Sequence, residues 1–234
     1  MKTALITGAS RGIGAETARV LSREGWFVIV NYNATEGKAL ELARELNAVA
    51  VKADVSDPRQ VRDMFEKVGP VDLLVNNAGI AHYGLFTDTS EETWRRLFAV
   101  NVDGIYNCCQ CALPYMIREK RGCIINISSI WGIKGASCEV AYSAAKAAVI
   151  GFTKALAKEV GPSGVRVNCV APGVVETNML VGFTEEDKAE LTSETPLGRL
   201  GTAGEIAELI AFLASDKARF ITGQVVAMDG GFAL

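Results

Sequence analysis

The stretch Thr7-Gly8-Ala9-Ser10-Arg11-Gly12-Ile13-Gly14 joins an apolar run, residues 4–7, to a segment of helical period that begins at Gly14. Glycines at such a strand-to-helix turn let the backbone approach a pyrophosphate, whose charge meets the amide groups and the positive dipole end of the helix. We therefore predict a dinucleotide-binding loop, with an ordinary turn as the alternative. The predicted contacts in it are Gly8, Ser10, Arg11, Gly12, Ile13 and Gly14.

Beyond this loop, short apolar runs rich in β-branched residues alternate with longer segments of helical period. This order predicts an α/β fold in which helices cover both faces of a doubly wound parallel sheet of about seven strands. With 234 residues and no compositional break, we expect one domain over 1–234. The segment 176–201 lies outside this alternation of strands and helices, and we expect it to be a substrate flap with two helical fragments at most. The predicted strands are 4–7, 27–31, 48–52, 73–76, 124–128, 166–170 and 225–228. The predicted helices are 14–23, 36–46, 58–67, 92–117, 140–160 and 203–214.

Composition excludes several classes of function. The net charge is -3 and no basic block is present, which argues against a dedicated nucleic-acid or membrane-surface protein and favours a small molecule or another protein as partner. No signal-peptide pattern or membrane-spanning run occurs, so we expect a cytoplasmic protein. Six cysteines, most of them in apolar surroundings, and a single histidine, His82, predict neither a metal site nor a disulfide framework.

The run Ala141-Tyr142-Ser143-Ala144-Ala145-Lys146 places a phenol and an ammonium four residues apart, on one face of a predicted helix. A neighbouring cation favours the phenolate and so lowers the pKa of a tyrosine. Tyr142 is therefore a candidate proton donor during turnover. Two ordinary exposed side chains are the alternative that the isolated pattern leaves open.

The coenzyme preference is predicted from the end of the second strand. In dinucleotide folds that prefer the unphosphorylated coenzyme, an acid about 20 residues beyond the loop binds the ribose 2′-hydroxyl. This chain has Asn31-Tyr32-Asn33 there and carries Arg11 inside the loop. Since an acid would repel a 2′-phosphate and a guanidinium attracts one, we predict NADP(H), with Asn31 among its contacts.

Together with the glycine loop, Asn76-Asn77-Ala78-Gly79, Asn101, Ser129, Tyr142, Lys146 and Pro172-Gly173 resemble the short-chain dehydrogenase/reductase family over nearly the whole chain. The likeness is greatest to the 3-oxoacyl-acyl-carrier-protein reductases of fatty acid biosynthesis, seen also in Ile221-Thr222-Gly223-Gln224 and Asp229-Gly230-Gly231. This resemblance implies a Rossmann fold, an NADPH-dependent carbonyl reductase with an Asn-Ser-Tyr-Lys tetrad, and a homotetramer.

The resemblance also implies a role for each tetrad residue. Tyr142 donates a proton to the substrate carbonyl, and Lys146 lowers the pKa of Tyr142 and binds the nicotinamide ribose. Ser129 hydrogen-bonds the carbonyl oxygen, with its neighbour Ser128 as competitor. Asn101 holds a water that links Lys146 to solvent, unless its side chain only bonds to its own helix.

Further coenzyme contacts follow from the same resemblance. Asp54 matches an adenine-flanking position, although an alternative role is to cap the helix from residue 58. The other implied contacts are Val55 at the adenine, Asn77 and Gly79 at the adjoining ribose, Tyr142 and Lys146, and Pro172, Gly173, Val175 and Thr177 at the carboxamide.

The predicted substrate residues are Trp131, Cys138 and Glu139. Their surroundings resemble a smaller branch of the family, the reductases of the 5-aminopentanone group on translation elongation factor P, as do Asn178-Met179 and Phe183-Thr184. An anionic Glu139 near the pocket mouth would attract the ammonium of such a substrate, although it is also typical of a solvated helix N-terminus.

The remaining alternatives concern the partner. Acyl carrier protein usually docks through basic residues; Arg121 is available, but Ser163 stands where a second arginine is often found. We therefore expect a ketone substrate that is carried either by acyl carrier protein or by elongation factor P. A non-catalytic coenzyme-sensing module is a remote alternative, because the chain keeps every tetrad position.

Overall fold

Seven parallel strands form the centre of the protein in a computed structural model that describes residues 2–177 and 184–233. They lie side by side in the order β3-β2-β1-β4-β5-β6-β9, and the two remaining strands, β7 and β8, pair separately. Because β1 lies mid-sheet and the chain winds outward from it in both directions, the predicted doubly wound Rossmann-type fold is confirmed. The strands are β1 (Thr3–Ile6), β2 (Phe27–Tyr32), β3 (Val49–Lys52), β4 (Leu73–Asn76), β5 (Gly122–Ile127), β6 (Val165–Pro172), β7 (Val175–Glu176), β8 (Gly201–Thr202) and β9 (Val225–Met228).

Helices cover both faces of this sheet because neighbouring residues of each strand point to opposite sides. In β1, Leu5 belongs to one buried apolar cluster and Ile6 to the other, and Leu74 and Val75 of β4 divide in the same way. Each face therefore has its own core, and most residues of the strands are apolar. The helices are α1 (Gly12–Arg23), α2 (Glu36–Leu46), α3 (Pro58–Val68), α4 (Glu91–Phe98), α5 (Gly104–Arg118), α6 (Trp131–Lys134), α7 (Val140–Val160), α8 (Glu185–Glu194) and α9 (Ala203–Ala214).

The register of the strands brings four loops to one edge of the sheet. Near their carboxyl ends, Ile6 is paired with Val75, Asn76 with Asn126, and Ile127 with Val170. The segments that follow β1, β4, β5 and β6 consequently meet at this edge. In doubly wound folds, ligands bind at the carboxyl edge where the winding reverses.

The structure corrects the prediction of one continuous helix over 92–117. Helix α4 ends at Phe98, a π-helical turn spans Ala99–Asp103, and α5 follows. An extra residue in one turn rotates the side chains that follow, and such turns occur frequently at functional sites. Asn101 lies in the middle of this turn.

The predicted flap, 176–201, contains one described helix, α8, which begins with a capping box between Thr184 and Asp187. Asn178, Met179 and Phe183 lie outside the described residues. The short helix α6 and the β7–β8 pair were not predicted from the sequence. No helix within 2–177 or 184–233 combines the length and apolarity that crossing a membrane requires.

Candidate active site

The glycine loop after β1 has the shape that a phosphate-binding turn requires. Gly8 and Gly12 adopt positive φ angles of 61° and 57°, which side chains other than glycine rarely tolerate. A Cβ on Gly8 would lie 2.8 Å from Cα of Ala78. At Gly14 a Cβ would lie 2.5 Å from Nδ2 of Asn77, so this glycine serves the packing of α1 against the loop after β4.

A cavity of about 300 Å³ opens beside this loop at the carboxyl edge of the sheet. Within the described part of the chain no side chain caps α1 at Arg11, so the helix presents its first amide groups and its positive dipole end at the cradle. A pyrophosphate fits this arrangement. The predicted coenzyme residues that line the cavity are Gly8, Ser10, Arg11, Gly12, Ile13, Asn31, Asp54, Val55, Asn77, Gly79 and Thr177; Asn33, Thr35 and Arg96 line it as well and were not predicted.

Asn31 supports the loop from beneath rather than extending into the cavity with a free amide. Its Oδ1 accepts a hydrogen bond from the N–H of Gly8 at 3.2 Å, and its Nδ2 donates to the carbonyls of Val51 and Ala53 at 3.3 and 3.1 Å. The residue is buried. The side chain thus joins the phosphate loop to β3, a role that the sequence did not indicate.

Asp54 is held in a polar network in the lining of this cavity. Its carboxylate accepts from Arg96 at 2.9 Å, from the hydroxyl of Ser56 at 2.6 Å and from Asn33 at 3.1 Å. Burial opposes ionisation, but the hydrogen bonds from Ser56 and Arg96 outweigh it and hold the pKa of Asp54 below its usual range. The alternative role as a helix cap is excluded, because Asp57 caps α3 by accepting from the N–H of Arg59.

Tyr142, Ser129 and Lys146 lie together where the segment after β5 meets α7. Tyr142 is 8% exposed and Lys146 4%, and the Ser129 hydroxyl is close enough to the phenol to influence its pKa. Nζ of Lys146 lies 5.6 Å from the centroid of the Tyr142 ring and donates to the carbonyl of Ile127 at 3.0 Å. Three of the four predicted catalytic side chains are therefore brought to one place.

Ser128 faces a different neighbour. Its hydroxyl donates to the carbonyl of Lys146 at 2.7 Å, across the interior of the protein. Ser129 instead accepts from the N–H of Trp131 at 3.2 Å and contacts Tyr142. This geometry favours Ser129 over its neighbour as the residue that meets a carbonyl.

The pKa values correct one expectation. The pKa of Tyr142 is raised to about 12: burial contributes most of the rise and the charge of Glu139 adds to it, whereas the Ser129 hydroxyl acts in the opposite direction. Burial also lowers the pKa of Lys146 to about 8. The net shift of the Tyr142 pKa is therefore opposite to the predicted direction, because desolvation dominates at both groups.

Asn101 carries an unsatisfied buried acceptor beside this cluster. Its Nδ2 donates to the carbonyls of Leu97 and Ile80 at 3.0 and 2.9 Å, so the bond within its own helix is present. Its Oδ1 has no partner among the described residues. A Cβ on Gly79 would lie 2.7 Å from this oxygen and 3.3 Å from Nζ of Lys146. A water or a coenzyme hydroxyl that donates to Oδ1 would therefore lie within reach of Lys146.

A second cavity, of about 630 Å³, adjoins the first and contains Tyr142, Ser129 and Lys146. Trp131 and Glu139 line it as predicted, together with the four predicted carboxamide contacts: Pro172, Gly173, Val175 and Thr177. Sequence reasoning missed His82, Tyr83, Glu190 and Glu194, which also line it. No sequence motif marks these residues, because His82 and Tyr83 come from a loop and Glu190 and Glu194 come from α8.

Cys138 is not part of this lining. It has a positive φ of 60°, its carbonyl accepts from the N–H of Gly84 at 2.8 Å, and its thiol contacts the phenol of Tyr83. Glu139, beside it, is half-buried, and burial raises the pKa of its carboxyl. Of the predicted substrate residues, the structure thus brings Trp131 and Glu139, but not Cys138, to the cavity wall.

Comparison with known proteins agrees with this site. Residues 8–233 match the family described as Enoyl-(Acyl carrier protein) reductase. The chain is 45% identical to an uncharacterized oxidoreductase, YmfI, of Bacillus subtilis (99% of this chain, 98% of that protein). It is 42% identical to the 3-oxoacyl-[acyl-carrier-protein] reductase FabG of Staphylococcus aureus (98% of this chain, 97% of that protein).

A solved structure extends the likeness to three dimensions. The crystal structure of a 3-oxoacyl-[acyl-carrier protein] reductase from Brucella melitensis superposes with a TM-score of 0.94 at 36% identity, covering 100% of this chain and 91% of that one. The fold, the glycine cradle, and the grouping of Ser129, Tyr142 and Lys146 therefore have one explanation. The chain belongs to the short-chain dehydrogenase/reductase family of oxidoreductases and is similar to 3-oxoacyl-acyl-carrier-protein reductases.

Proposed function

We propose that this protein is an NADPH-dependent reductase of ketones. The observation that carries the proposal is the grouping of a buried phenol, Tyr142, with Ser129 and Lys146 in a cavity that adjoins the glycine cradle. NADPH, when bound, supplies the hydride. Gly8 and Gly12 would hold its pyrophosphate, and Pro172 and Gly173 would lie at its carboxamide.

The side chains of the site supply the proton and the positioning. Ser129 would donate a hydrogen bond to the ketone oxygen, where negative charge develops as the carbon is reduced. Tyr142 would then give its proton to that oxygen, since a phenol with a pKa of about 12 still carries its proton at neutral pH. Lys146, with a pKa of about 8, is still mostly charged at neutral pH and would stabilise the phenolate that remains.

The preference for NADPH is supported by the charges of the first cavity. Arg11 lines it, and among the described lining residues Asp54 is the one carboxylate. That carboxylate is engaged by Arg96 at 2.9 Å. A 2′-phosphate would therefore meet a guanidinium at Arg11 rather than an unpaired acid.

For the substrate we propose a 3-oxoacyl group on acyl carrier protein, in keeping with the names of the related reductases from Staphylococcus aureus and Brucella melitensis. The cavity that holds Tyr142 is large enough for such a chain, and its apolar lining includes Trp131 and Leu191. The reaction would belong to fatty acid biosynthesis. A homotetramer, as the family resemblance implies, remains part of this proposal.

A second candidate substrate, the aminopentanone group on elongation factor P, is favoured by the carboxylates of the same cavity. Glu139, Glu190 and Glu194 line it, whereas Lys146 is the one cation among the described lining residues. A terminal ammonium would offset the cost of burying the charge of Glu139. An acidic thioester carrier gains nothing from these three side chains.

The carrier-docking face also favours this second candidate. Arg121 lies 3.4 Å from Asp72, so its charge is already partly matched. Gly164, which follows Ser163, lies against the carbonyl of Lys120, so the two loops adjoin, and Ser163 adds no charge there. This face offers an acidic carrier less attraction than two free arginines would.

One assay separates the candidates: NADPH consumption with acetoacetyl-acyl carrier protein, compared with aminopentanone-modified elongation factor P. Activity on the first alone supports the carrier substrate, and activity on the second alone supports the modified factor. The substitution Glu139→Gln should then lower kcat/KM for the aminoketone more than for a neutral ketone. Failure to oxidise NADPH with any ketone would contradict the proposed function.

A further inference from the structure

The C-terminal turn, residues 229–233, lies directly behind the wall of the second cavity, which contains Tyr142. Phe232 is buried, and its ring packs edge-on against the indole of Trp131 with 5.5 Å between centroids and 78° between planes. Trp131 lines the cavity and its backbone N–H donates to the hydroxyl of Ser129. A residue near the chain end is thus one contact away from both the pocket wall and the serine that meets the carbonyl.

Lys134 fastens the two aromatic side chains together. Its ammonium donates to the carbonyl of Phe232 at 3.2 Å and lies 4.6 Å from the centroid of the Phe232 ring and 5.6 Å from that of Trp131. A cation over two aromatic rings is attracted to both. Because Lys134 ends the short helix that Trp131 begins, these contacts fix α6 against the C-terminal turn.

The turn itself is held by Asp229. The carboxylate accepts from the N–H groups of Gly231 and Ala233 at 3.0 and 2.8 Å. A Cβ on Gly173 would lie 2.6 Å from Cα of Asp229, so the turn also packs against the segment proposed to contact the nicotinamide.

The same turn reaches the end of the segment that contains α8. The N–H of Leu197 donates to the carbonyl of Gly230 at 3.1 Å, and Thr195 lies against Gly230. The turn therefore joins three parts of the site: α6, the strand end at Gly173 and the segment beyond α8.

We propose that Phe232 and Lys134 are positioning residues that set the orientation of the Trp131 indole, and thereby the width of the pocket for the group attached to the ketone. They act through Trp131 and touch neither the proposed proton donor nor the coenzyme cradle. Their loss should weaken binding of the ketone and leave the chemical step and coenzyme binding nearly intact. The kinetic part of this inference rests on the proposed reductase function.

The test compares Phe232→Ala, Phe232→Tyr and Lys134→Met with the wild-type protein, using NADPH and the ketone that the wild type reduces. We expect Phe232→Ala to raise KM for the ketone roughly three- to tenfold, the effect of losing one aromatic pair. The value of kcat and the Kd of NADPH should change less than about twofold, and Phe232→Tyr should restore KM. The control is Lys2→Met, which removes an ammonium 5.6 Å from the indole of Trp26, at the opposite edge of the sheet, and should leave KM unchanged.

A second readout needs no turnover. In a Trp26→Phe/Trp94→Phe background Trp131 is the one remaining tryptophan, so its fluorescence reports the indole directly. Phe232→Ala should shift the emission to longer wavelength as water reaches the ring, and Phe232→Tyr should not. Unchanged emission would overturn the inference even if no ketone is reduced. Equal losses of kcat, KM and NADPH binding, without recovery in Phe232→Tyr, would overturn it as well, because they indicate a general structural role.

Discussion

The ammonium nitrogen of Lys146 lies 5.6 Å from the centroid of the Tyr142 ring, and both side chains project from one face of α7 into the interior. Their spacing was evident in the sequence, but their burial was not. Burial moves the two pKa values toward the neutral forms, to about 12 for Tyr142 and to about 8 for Lys146. The pair is thus assembled at a cost to the charged lysine, and that cost depends on pH.

Lys146→Met measures this cost as a function of pH. Between pH 8 and 10.5 the folded protein has lost the lysine proton and the unfolded chain still holds it, so stability should rise with pH. The difference in unfolding free energy, wild type minus variant, should increase across this window by on the order of 2–3 kcal/mol. Chemical denaturation at several pH values provides the measurement. Buried cysteine thiols make an opposite contribution in both proteins, so it cancels in this difference. A difference in unfolding free energy that does not change with pH would contradict the assigned pKa of Lys146.

Gly79→Ala tests the proposed link between Lys146 and Asn101. The new Cβ would lie 2.7 Å from Oδ1 of Asn101 and must displace it. We expect kcat to fall roughly 100-fold, the typical effect of misplacing catalytic groups by about 1 Å, while circular dichroism shows a retained fold.

The matched control for this substitution is Gly151→Ala. Gly151 is exposed in the middle of α7, and a Cβ there meets no atom within 4 Å. It should keep full activity and gain about 0.5–1 kcal/mol of stability, because alanine favours a helix interior. Equal activity of the two variants would show that the space beside Gly79 has no catalytic importance.

Asn31, within β2, and Asn33, just after it, should respond differently to replacement by aspartate. Asn31→Asp would direct a carboxylate at the carbonyls of Val51 and Ala53 in a buried position, and should cost about 2–4 kcal/mol of stability. Asn33→Asp, at an exposed position lining the first cavity, should cost less stability, about 1 kcal/mol for the hydrogen bond lost to Asp54, but should lower the NADPH-over-NADH ratio of kcat/KM roughly tenfold. Thermal unfolding measures the stability of each variant, and coenzyme kinetics measure its preference for NADPH over NADH. The reverse pattern would show that Asn31, and not Asn33, faces the coenzyme phosphate.

The sequence predicted the parts of the fold that depend on local pattern. Strand β4 and helices α2 and α7 have the predicted bounds, because the apolar period and the flanking turn residues agree there. The π-helical turn at Ala99–Asp103 was missed, since it inserts a residue into an otherwise regular helical pattern. The short α6 and the two-residue strands β7 and β8 were missed because they are too short to carry a period.

The same distinction between local pattern and long-range contact applies to the candidate site. The glycine loop, Ser129, Tyr142 and Lys146 were predicted because each belongs to a motif with fixed spacing. The sequence did not indicate that Asn31 would be hydrogen-bonded beneath the loop, or that Glu190 and Glu194 would join Glu139 at the pocket. Those contacts arise between segments far apart in the chain. The direction of the Tyr142 pKa shift was mistaken for a related reason, since desolvation is a property of the packed site and not of the motif.

Tyr142→Phe tests the central claim most directly, because it removes one oxygen atom from the proposed proton donor and keeps the ring that packs in the site. The measurements are kcat for ketone reduction and the Kd of NADPH on the same preparation. We predict that kcat falls at least about 100-fold, the typical contribution of a general acid, while the Kd of NADPH stays within about twofold of the wild-type value. Unchanged turnover in the presence of normal NADPH binding would contradict the account.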